Sequence, residues 1–415
     1  MRSPTTEHRQ ITFAGEILTL PIYLDYQAST PLDPQVEKAM ADCQKYLPGN
    51  PHSNTHSFGH KARRKIEEAQ GHIAGLINAQ PHEIIFTSGA TEANNLALLG
   101  IANALSSPRH IISVRTEHES ILQPLEYLAA YEDIDVTVLS VDKNGLIDID
   151  ALTSTIRPET ILVSVMAANN ETGICQDISA IGRICAERDI LFHTDTVQAL
   201  ATEKIDVIAQ DISLLSLSGH KLYGPMGIGA LYVRERTDIA PLFYGGAQQR
   251  SIRPGTLPTA ACVGLGEACR IIAENRSSDH NHLQRLRSII THHLTTELVN
   301  AVEINGEEVP HIPGCLSLSF ADMDAENLLY ELPDLAVSTG SACSTMAGEP
   351  SHVLKAMGRS AVETAATFRL GIGRTTTEAE ARYAAAQIIT AYRRLTAGNE
   401  TAEILGKTIQ HNRVS

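Results

Sequence analysis

The sequence has no apolar run of the roughly 18 residues that a membrane-spanning helix requires, which argues against an integral membrane protein. Residues 1–20 also lack the apolar core of a secretory signal peptide and the Arg- and Ser-rich pattern of a transit peptide. We therefore expect a cytoplasmic location and no membrane partner.

Positive charge is scarce as well: 33 Lys and Arg stand against 48 Asp and Glu, and the formal net charge is −15. Binding to a nucleic-acid backbone depends on clustered Lys and Arg, so we expect no direct nucleic-acid partner. Seven cysteines, an odd number without CxxC spacing, provide neither a disulfide framework nor a zinc signature. Each cysteine must be judged by its own surroundings, and no metal site is predicted.

The chain of 415 residues does contain a regular alternation of helical periodicity with short apolar runs, from about residue 60 to residue 275. Continuous apolar strands that alternate with helices predict an α/β fold with a mostly parallel sheet covered on both faces. The apolar runs are EIIFT (83–87), HIISV (110–114), VTVLSV (136–141), ILVSVM (161–166), ILFHT (190–194), ISLLSL (212–217) and GALYV (229–233).

The pattern changes after Glu274. An amphipathic helix over about 282–298, a strand at 316–320, a strand at 369–373 and a helix over about 377–396 predict a smaller α+β domain. We therefore predict a large domain at 31–275 and a small domain made of 1–30 and 276–415.

Reactive residues follow several of the predicted strands directly, at the carboxyl edge where open α/β sheets bind their ligands. The run 83–87 continues into Ser88-Gly89-Ala90-Thr91-Glu92 and a helix-like stretch. A strand, a glycine turn and a helix start form an anion site, to which Ala90 would contribute its N–H and Thr91 its N–H and hydroxyl. An ordinary capped turn explains the same string.

Lys221 lies in the string SLSGHKLYGP, directly after another predicted strand. A partly desolvated lysine has a lowered pKa and a nucleophilic amine, which suits a Schiff base with a carbonyl cofactor. Ser218 and His220 flank it and can donate hydrogen bonds to a phosphate. A surface lysine in a loop is the plainer alternative, although the flanking SGH and GP indicate a tight turn.

Three further strand ends carry polar candidates. Asp195 can pair with a pyridinium nitrogen and Gln198 can donate to the ring's phenolic oxygen, although Asp195 would also serve as a helix N-cap. His118 can stack on a flat ring and move protons near neutral pH, although a lone histidine is often structural. Asn169 can hold the ring oxygen or a substrate carboxylate.

These strings together resemble the cysteine desulfurases of the aminotransferase class V family, in the branch used in iron–sulfur assembly and tRNA thiolation. The matches run in the family's order from about residue 22 to residue 395. They are YLDYQASTPLDP (23–34), GNPHSNTHSFG (49–59), FTSGATEANNLAL (86–98), TEHES (116–120), AANNETG (167–173), HTDTVQ (193–198), SGHKLYGPMGIGALY (218–232), RPGTLP (253–258), STGSACS (338–344), EPSHVL (349–354) and RLGIGRTTTEAE (369–380).

The resemblance implies the fold of type I enzymes that depend on pyridoxal 5'-phosphate. It implies that Lys221 forms the Schiff base and moves the substrate's alpha proton, while His118 stacks on the ring and assists. Asp195 would pair with the pyridine nitrogen and Gln198 with the ring oxygen. The resemblance also implies that the phosphate is bound by Ala90, Thr91, Ser218 and His220, together with Thr256 of a partner subunit. It implies that the substrate carboxylate is bound by Asn169 and Arg369.

Cys343 lies in residues 338–350 (STGSACSTMAGEP), a small, polar stretch that predicts a mobile loop. By resemblance, this thiol takes the sulfur of L-cysteine as a persulfide, leaves alanine, and delivers the sulfur to an acceptor protein. An accessible thiolate is required for that role. Cys185, Cys262 and Cys269 are predicted to be inert and buried.

The predicted function is therefore a cysteine desulfurase that works as a homodimer, since Thr256 is expected to complete the neighbour's site. Iron–sulfur cluster assembly, tRNA thiolation and DNA phosphorothioation remain open as destinations of the sulfur. Alternatives are a selenocysteine lyase, another class V aminotransferase, or a scaffold that only recruits partners. The residues after Cys343, an N-terminal extension of some twenty residues and the tail after Gly398 depart from the family's pattern.

Overall fold

The computed structural model describes residues 9–105, 109–132, 134–339 and 350–411, with the backbone alone for 398–411. Cys343 lies outside these residues. Within the described part of the chain, no helix is long and apolar enough to cross a membrane.

The chain begins with three short strands and two helices that precede the central sheet. The hairpin joins antiparallel strands, and α1 starts at the Asp33–Pro34 step, where the Asp33 carboxylate accepts the Gln35 N–H. Asn78 ends α2 in the left-handed conformation, with φ of 60°. These elements are β1 (Arg9–Phe13), β2 (Glu16–Leu20), β3 (Ile22–Tyr23), α1 (Pro34–Tyr46) and α2 (Ser57–Ile77).

The next part of the chain forms the seven-stranded sheet and the helices that alternate with its strands. Most of its strands are buried along their whole length, as expected for a sheet covered on both faces. The elements are β4 (Ile84–Thr87), α3 (Ala90–Ala104), β5 (His110–Val114), α4 (Glu119–Tyr131), β6 (Asp135–Leu139), α5 (Ile149–Thr155), β7 (Thr160–Ser164), α6 (Ile178–Ala186), β8 (Leu191–Asp195), β9 (Leu214–Ser218) and β10 (Gly229–Val233).

The strands lie in the order β4-β10-β9-β8-β7-β5-β6. All neighbours are parallel except β10, which runs antiparallel to β4 and β9. Gly229 at the start of β10 therefore pairs with Thr87 and with Ser218, at the ends of the two flanking strands. The carboxyl ends of β4, β5, β8 and β9 consequently meet at one edge of the sheet, and the prediction of an α/β fold with a mostly parallel sheet is confirmed.

A second, smaller assembly follows. Strands β11, β12 and β14 form an antiparallel sheet, and β13 pairs in parallel with β3, which ties the N-terminal segment to this region. The elements are α7 (Thr259–Glu297), β11 (Val302–Ile304), β12 (Cys315–Phe320), α8 (Ala325–Tyr330), β13 (Leu335–Ala336), α9 (His352–Ala356), α10 (Ala361–Ala365), β14 (Thr367–Gly371) and α11 (Glu378–His411).

Helix α7 connects the two regions without a break. Its first half places Cys262, Leu265 and Cys269 in the hydrophobic core around the central sheet, whereas Leu286 and Ile290 belong to the core around the small sheet. The predicted helix at 282–298 is only the second half of this element, and the predicted boundary after residue 275 falls inside it. One continuous helix serving two cores explains why the apolar pattern changes near Glu274.

Candidate active site

A cavity of about 520 Å³ opens at the carboxyl edge of the central sheet. It is lined by the turn after β4, the start of α4, the end of β8 and the turn after β9. Most of the sequence-predicted residues line it: Ala90, Thr91, His118, Asp195, Gln198, Ser218, His220 and Lys221. Strands far apart in the sequence thus bring their end residues into one site.

The anion cradle lies where β4 passes into α3. Ala90 and Thr91 are the first residues of that helix, so their N–H groups have no carbonyl within it to donate to. Gly89 precedes them with φ of 155°, and Ser218 lines the cavity beside this turn. A Cβ on Gly229 would lie 2.7 Å from the Gly89 Cα, so glycine at that position lets β10 approach the turn.

Glu92, which also lines the cavity, stabilises the same turn. Its carboxylate accepts the Ser88 N–H at 2.7 Å and pairs with the Arg253 guanidinium at 2.8 Å. Burial opposes ionisation of this carboxyl, but the hydrogen bonds from Arg253 and Ser88 hold its pKa below the ordinary value. The carboxylate therefore stays charged and connects the cradle to the segment that carries Thr256.

Lys221 ends the single helical turn Gly219–Lys221 that follows β9. A Cβ on Gly219 would lie 2.5 Å from the Pro225 carbonyl, which explains why glycine begins this turn. The Lys221 ammonium donates to the Gln27 carbonyl, and the His220 carbonyl accepts from Thr30 at 2.8 Å. The N-terminal segment therefore holds the lysine at the cavity wall, and the prediction of a tight turn is confirmed.

Asp195 is the last residue of β8 and is only 6% exposed. One carboxylate oxygen accepts the Val197 N–H at 2.9 Å, and the other accepts the Asn94 side-chain amide at 2.8 Å. Asp195 therefore accepts a cap-like hydrogen bond from Val197 and also lines the cavity. Asp195 can therefore present negative charge to a cationic ring nitrogen while its own geometry is held by two donors.

His118 is the N-cap of α4, and its Nδ1 accepts the Ser120 N–H at 3.1 Å. Burial lowers the pKa of this imidazole, the nearby Lys221 ammonium lowers it further, and the Asp195 carboxylate raises it. The ring thus caps a helix and also lines the cavity, so a structural role is present and the functional role stays a prediction.

Asn169 lies behind the cavity wall and not in it. Its amide nitrogen donates to the Thr116 carbonyl at 2.9 Å, and its oxygen accepts the N–H groups of Glu171 and Thr172. These bonds hold the turn that presents Asn170, which does line the cavity. The two asparagines are adjacent in the sequence, and nothing in the sequence indicates which one faces the site.

Arg369 is 1% exposed, at the centre of the small sheet's strand β14. Its guanidinium pairs with Asp25 at 2.8 Å and donates to the Asn170 carbonyl at 2.9 Å and to the Ser338 hydroxyl at 3.1 Å. It therefore joins the N-terminal segment, the large region and the segment that leads toward Cys343. Thr256 is exposed and is not part of the cavity wall.

Several residues that hold the site together were missed by the sequence reasoning. Glu117 is fully buried, its carboxylate accepts the Met166 N–H at 2.5 Å, and burial raises its pKa well above the ordinary value. Glu171 accepts the Ser351 hydroxyl at 2.5 Å. The strings TEHES, AANNETG and EPSHVL contained Glu117, Glu171 and Ser351 in turn, but nothing in the strings distinguished internal hydrogen-bonding groups from groups that face a ligand.

The described cysteines are poor nucleophiles. Cys185, Cys262 and Cys269 are completely buried, which confirms that prediction, and burial raises the pKa of each thiol to about 12. Burial raises the pKa of Cys175 to about 12 and that of Cys315 to about 11. Their thiolates are scarce at neutral pH.

Comparison with known proteins agrees with this geometry. The aminotransferase class-V family model matches residues 22–383. A cysteine desulfurase from Mus musculus is 44% identical over 391 residues, covering 94% of this chain and 85% of that protein. The cysteine desulfurase IscS from Rickettsia bellii is 47% identical over 370 residues, covering 88% and 90%. A solved NifS-like protein superposes with a TM-score of 0.83 at 30% identity, covering 90% of this chain and 99% of its own.

Proposed function

Since this chain belongs to the aminotransferase class-V family and is a pyridoxal-phosphate-dependent cysteine desulfurase of the IscS/NifS-like group, we propose specific roles for its site residues. Lys221, Asp195 and His118 act on L-cysteine, and Cys343 receives its sulfur. The observation that carries this proposal is the convergence of the three side chains on one cavity with a helix N-terminus. The reaction converts L-cysteine and the Cys343 thiol into L-alanine and a Cys343 persulfide.

The cavity's donor set fits pyridoxal 5'-phosphate. The N-terminus of α3 with Ala90, Thr91, Ser218 and His220 provides donors for a dianionic phosphate. Asp195 provides an anion for the ring nitrogen, Gln198 lines the same wall, and Lys221 provides the amine that attaches the cofactor covalently. When bound, the cofactor supplies an electron sink that weakens the Cβ–Sγ bond of cysteine.

The protein residues then handle protons and position the substrate. Lys221 would take the alpha proton of the substrate, because its amine lies at the cavity wall. Asp195 remains a fixed negative charge held by Val197 and Asn94. His118 would lie over the cofactor ring, and burial, which lowers the pKa of its imidazole, favours the neutral form of that imidazole.

We propose that Arg369 and Asn170 bind the substrate carboxylate. A guanidinium matches a carboxylate through two parallel hydrogen bonds, and Arg369 already donates to the backbone of Asn170. The Asn169 amide is committed to the turn beneath, so its role in this proposal is to orient Asn170.

Cys343 is the proposed sulfur acceptor because the other six cysteines do not suit the task. Five are largely buried with strongly raised thiol pKa values, and burial also raises the pKa of Cys43. The two segments that lead to and from residues 340–349 are anchored beside the site. Ser338 binds Arg369 and Asp25, and Ser351 binds Glu171.

A homodimer and a reducing compartment such as the cytoplasm complete the proposal. Thr256 is exposed near Phe243 and Tyr244 in sequence, which are 54% and 90% exposed. An aromatic surface of this kind suits contact with a second copy, from which Thr256 would reach the phosphate of its neighbour. All six described cysteines are unpaired thiols, which suits reducing conditions.

The Cys343→Ser variant tests the proposed function. We expect it to keep the cofactor's visible absorbance and to lose persulfide formation and alanine release from L-cysteine under turnover. The matched control is Cys175→Ser, which should keep both activities because its thiol has a strongly raised pKa and lies outside the cavity. Sulfide and alanine release by Cys343→Ser at the wild-type rate would overturn the proposal and favour a lyase or another class V activity.

The acceptor is proposed to be a protein. Capture with the persulfidated dimer from its own cell extract, compared with Cys343→Ser as bait, distinguishes an iron–sulfur scaffold, a tRNA thiolation protein and the DNA phosphorothioation machinery. Transfer of label from ³⁵S-cysteine to a captured protein supports the proposal. Label that leaves only as free sulfide contradicts it.

A further inference from the structure

Two buried residues that the reaction does not obviously require connect Asp195 to His118. The Asn94 side-chain nitrogen lies 2.8 Å from the Asp195 carboxylate and 2.8 Å from the Ser120 hydroxyl. The Ser120 hydroxyl in turn lies 2.8 Å from the His118 Nδ1. Asn94 is completely buried and Ser120 is 7% exposed, so water does not compete for these bonds.

The orientation of the Asn94 amide follows from its partners. An ionised carboxylate only accepts hydrogen bonds, so the group that faces Asp195 must be the amide NH₂. The same nitrogen donates its second hydrogen to Ser120, while the Asn94 carbonyl oxygen is buried without a partner. An amide that leaves its own buried acceptor unsatisfied is held in this orientation by these two donations.

The direction of the next bond is then determined. The Ser120 oxygen accepts from Asn94, which leaves the hydroxyl hydrogen to donate to the His118 Nδ1. The Ser120 backbone N–H donates to the same nitrogen at 3.1 Å. Nδ1 therefore faces two donors and must offer its lone pair to both, which places the proton of the neutral ring on Nε2.

We propose that Asn94 and Ser120 are positioning residues that hold His118 as the Nε2–H tautomer and connect it to the charge of Asp195. In this arrangement His118 presents an N–H donor to the cavity and does not present a free lone pair. The proposal goes beyond the proposed roles of Asp195 and His118 and rests on them.

The same network resists protonation of the ring. A proton on Nδ1 would point at the Ser120 N–H, so the imidazolium loses one bond and forces the Ser120 hydroxyl to turn away. The charged groups that face His118 are Asp195 and Glu119, which favour the imidazolium, and Lys221 and His352, which oppose it. The hydrogen bonds from Asn94 to Ser120 and from Ser120 to His118 add to these electrostatic effects and favour the neutral imidazole.

The test is nitrogen NMR on protein labelled with ¹⁵N-histidine, with the His118 signals assigned by their absence in His118→Gln. It is done on the cofactor-loaded dimer and on the cofactor-free chain. We expect the Nε2–H tautomer in the wild type. In Ser120→Ala and in Asn94→Leu, the share of the Nδ1–H tautomer should rise, with a change of about fivefold in the tautomer ratio, as expected for loss of one hydrogen bond.

Matched variants separate positioning from mere structural support. Ser120→Thr keeps the hydroxyl and should keep the wild-type tautomer, and Asn95→Leu alters the neighbouring residue of α3 and should do the same. The pH at which His118 titrates should rise in Ser120→Ala and Asn94→Leu only. If Asn94→Leu does not fold, Ser120→Ala carries the test.

A wild-type ring that carries its proton on Nδ1 would overturn the inference. So would an unchanged tautomer ratio and titration in Ser120→Ala. Failure of the wild type to desulfurate cysteine is a different outcome: it would overturn the proposed function and leave the tautomer result standing, because that result is also obtained on the cofactor-free chain.

Discussion

The two halves of the active site are built in different ways. The proposed cofactor half, with Asp195, His118 and Lys221, lies at or shortly after strand ends of one sheet, and hydrogen bonds from its own turn or a neighbouring element hold each side chain. The proposed substrate half depends on Arg369, which bonds to segments 199 and 344 residues away in the sequence. The proposed cofactor half is therefore held locally within and around one sheet, whereas the contacts of Arg369 form only when three segments that are distant in the sequence come together.

Lys221→Ala should have the largest effect, because it removes the covalent attachment and the proton carrier of the cofactor half together. We expect cysteine desulfuration to fall by about 10³-fold or more, in the range known for loss of a proton-transferring group. Alanine formation and visible absorbance measure the effect. The exposed Lys38→Ala variant is the control. A similar loss of desulfuration in both variants would contradict the specific role proposed for Lys221.

Arg369→Lys should weaken substrate binding and leave the cofactor half intact. An ammonium cannot reproduce the two parallel bonds of a guanidinium, so we expect KM for L-cysteine to rise about 10- to 100-fold. Steady-state kinetics with a cofactor-absorbance check measures this change. Arg359→Lys, whose ion pair with Glu303 is on the surface, is the control. Loss of cofactor with an unchanged KM would show that the two halves are not separate.

His193→Gln should have the smallest effect, and one confined to stability. His193 is fully buried on β8 between the hydroxyls of Ser164 and Ser216, and burial lowers its pKa from 6.5 to about 3. Between those two pH values the unfolded chain binds one more proton than the folded chain, so stability falls as the pH falls. The loss is about 1.4 kcal/mol per pH unit.

Urea unfolding at pH 7 and pH 5 measures this slope. From pH 6.5 to pH 5 the wild type should lose about 2 kcal/mol more than His193→Gln, which has no imidazole to protonate. His292→Gln, at an exposed position of α7, is the control. An equal loss of unfolding free energy at low pH in the wild type and in His193→Gln would mean that burial of this imidazole does not cause the loss of stability in acid.

The sequence alone was sufficient for most elements of the central sheet and for the meeting of the proposed cofactor residues at its carboxyl edge. Strands β5 and β10 were predicted at their observed bounds, and the other sheet strands within about two residues, because strands buried on both faces of a sheet are continuous apolar runs. The residues after those runs were predicted to converge, and they do. Helix α7 was predicted at half its length, since its apolar face turns from one core to the other.

Only the tertiary structure decided which side chains face the cavity and which support it. Asn169 and Asn170 are adjacent and identical in type. The side chain of Asn169 is hydrogen-bonded to the backbone of Thr116, Glu171 and Thr172 behind the cavity wall, whereas Asn170 lines the cavity. Asn94 and Ser120 looked like ordinary helix residues until folding placed them between Asp195 and His118. Periodicity determines which residues are buried, but the direction of a hydrogen bond depends on partners that the chain brings together from far apart.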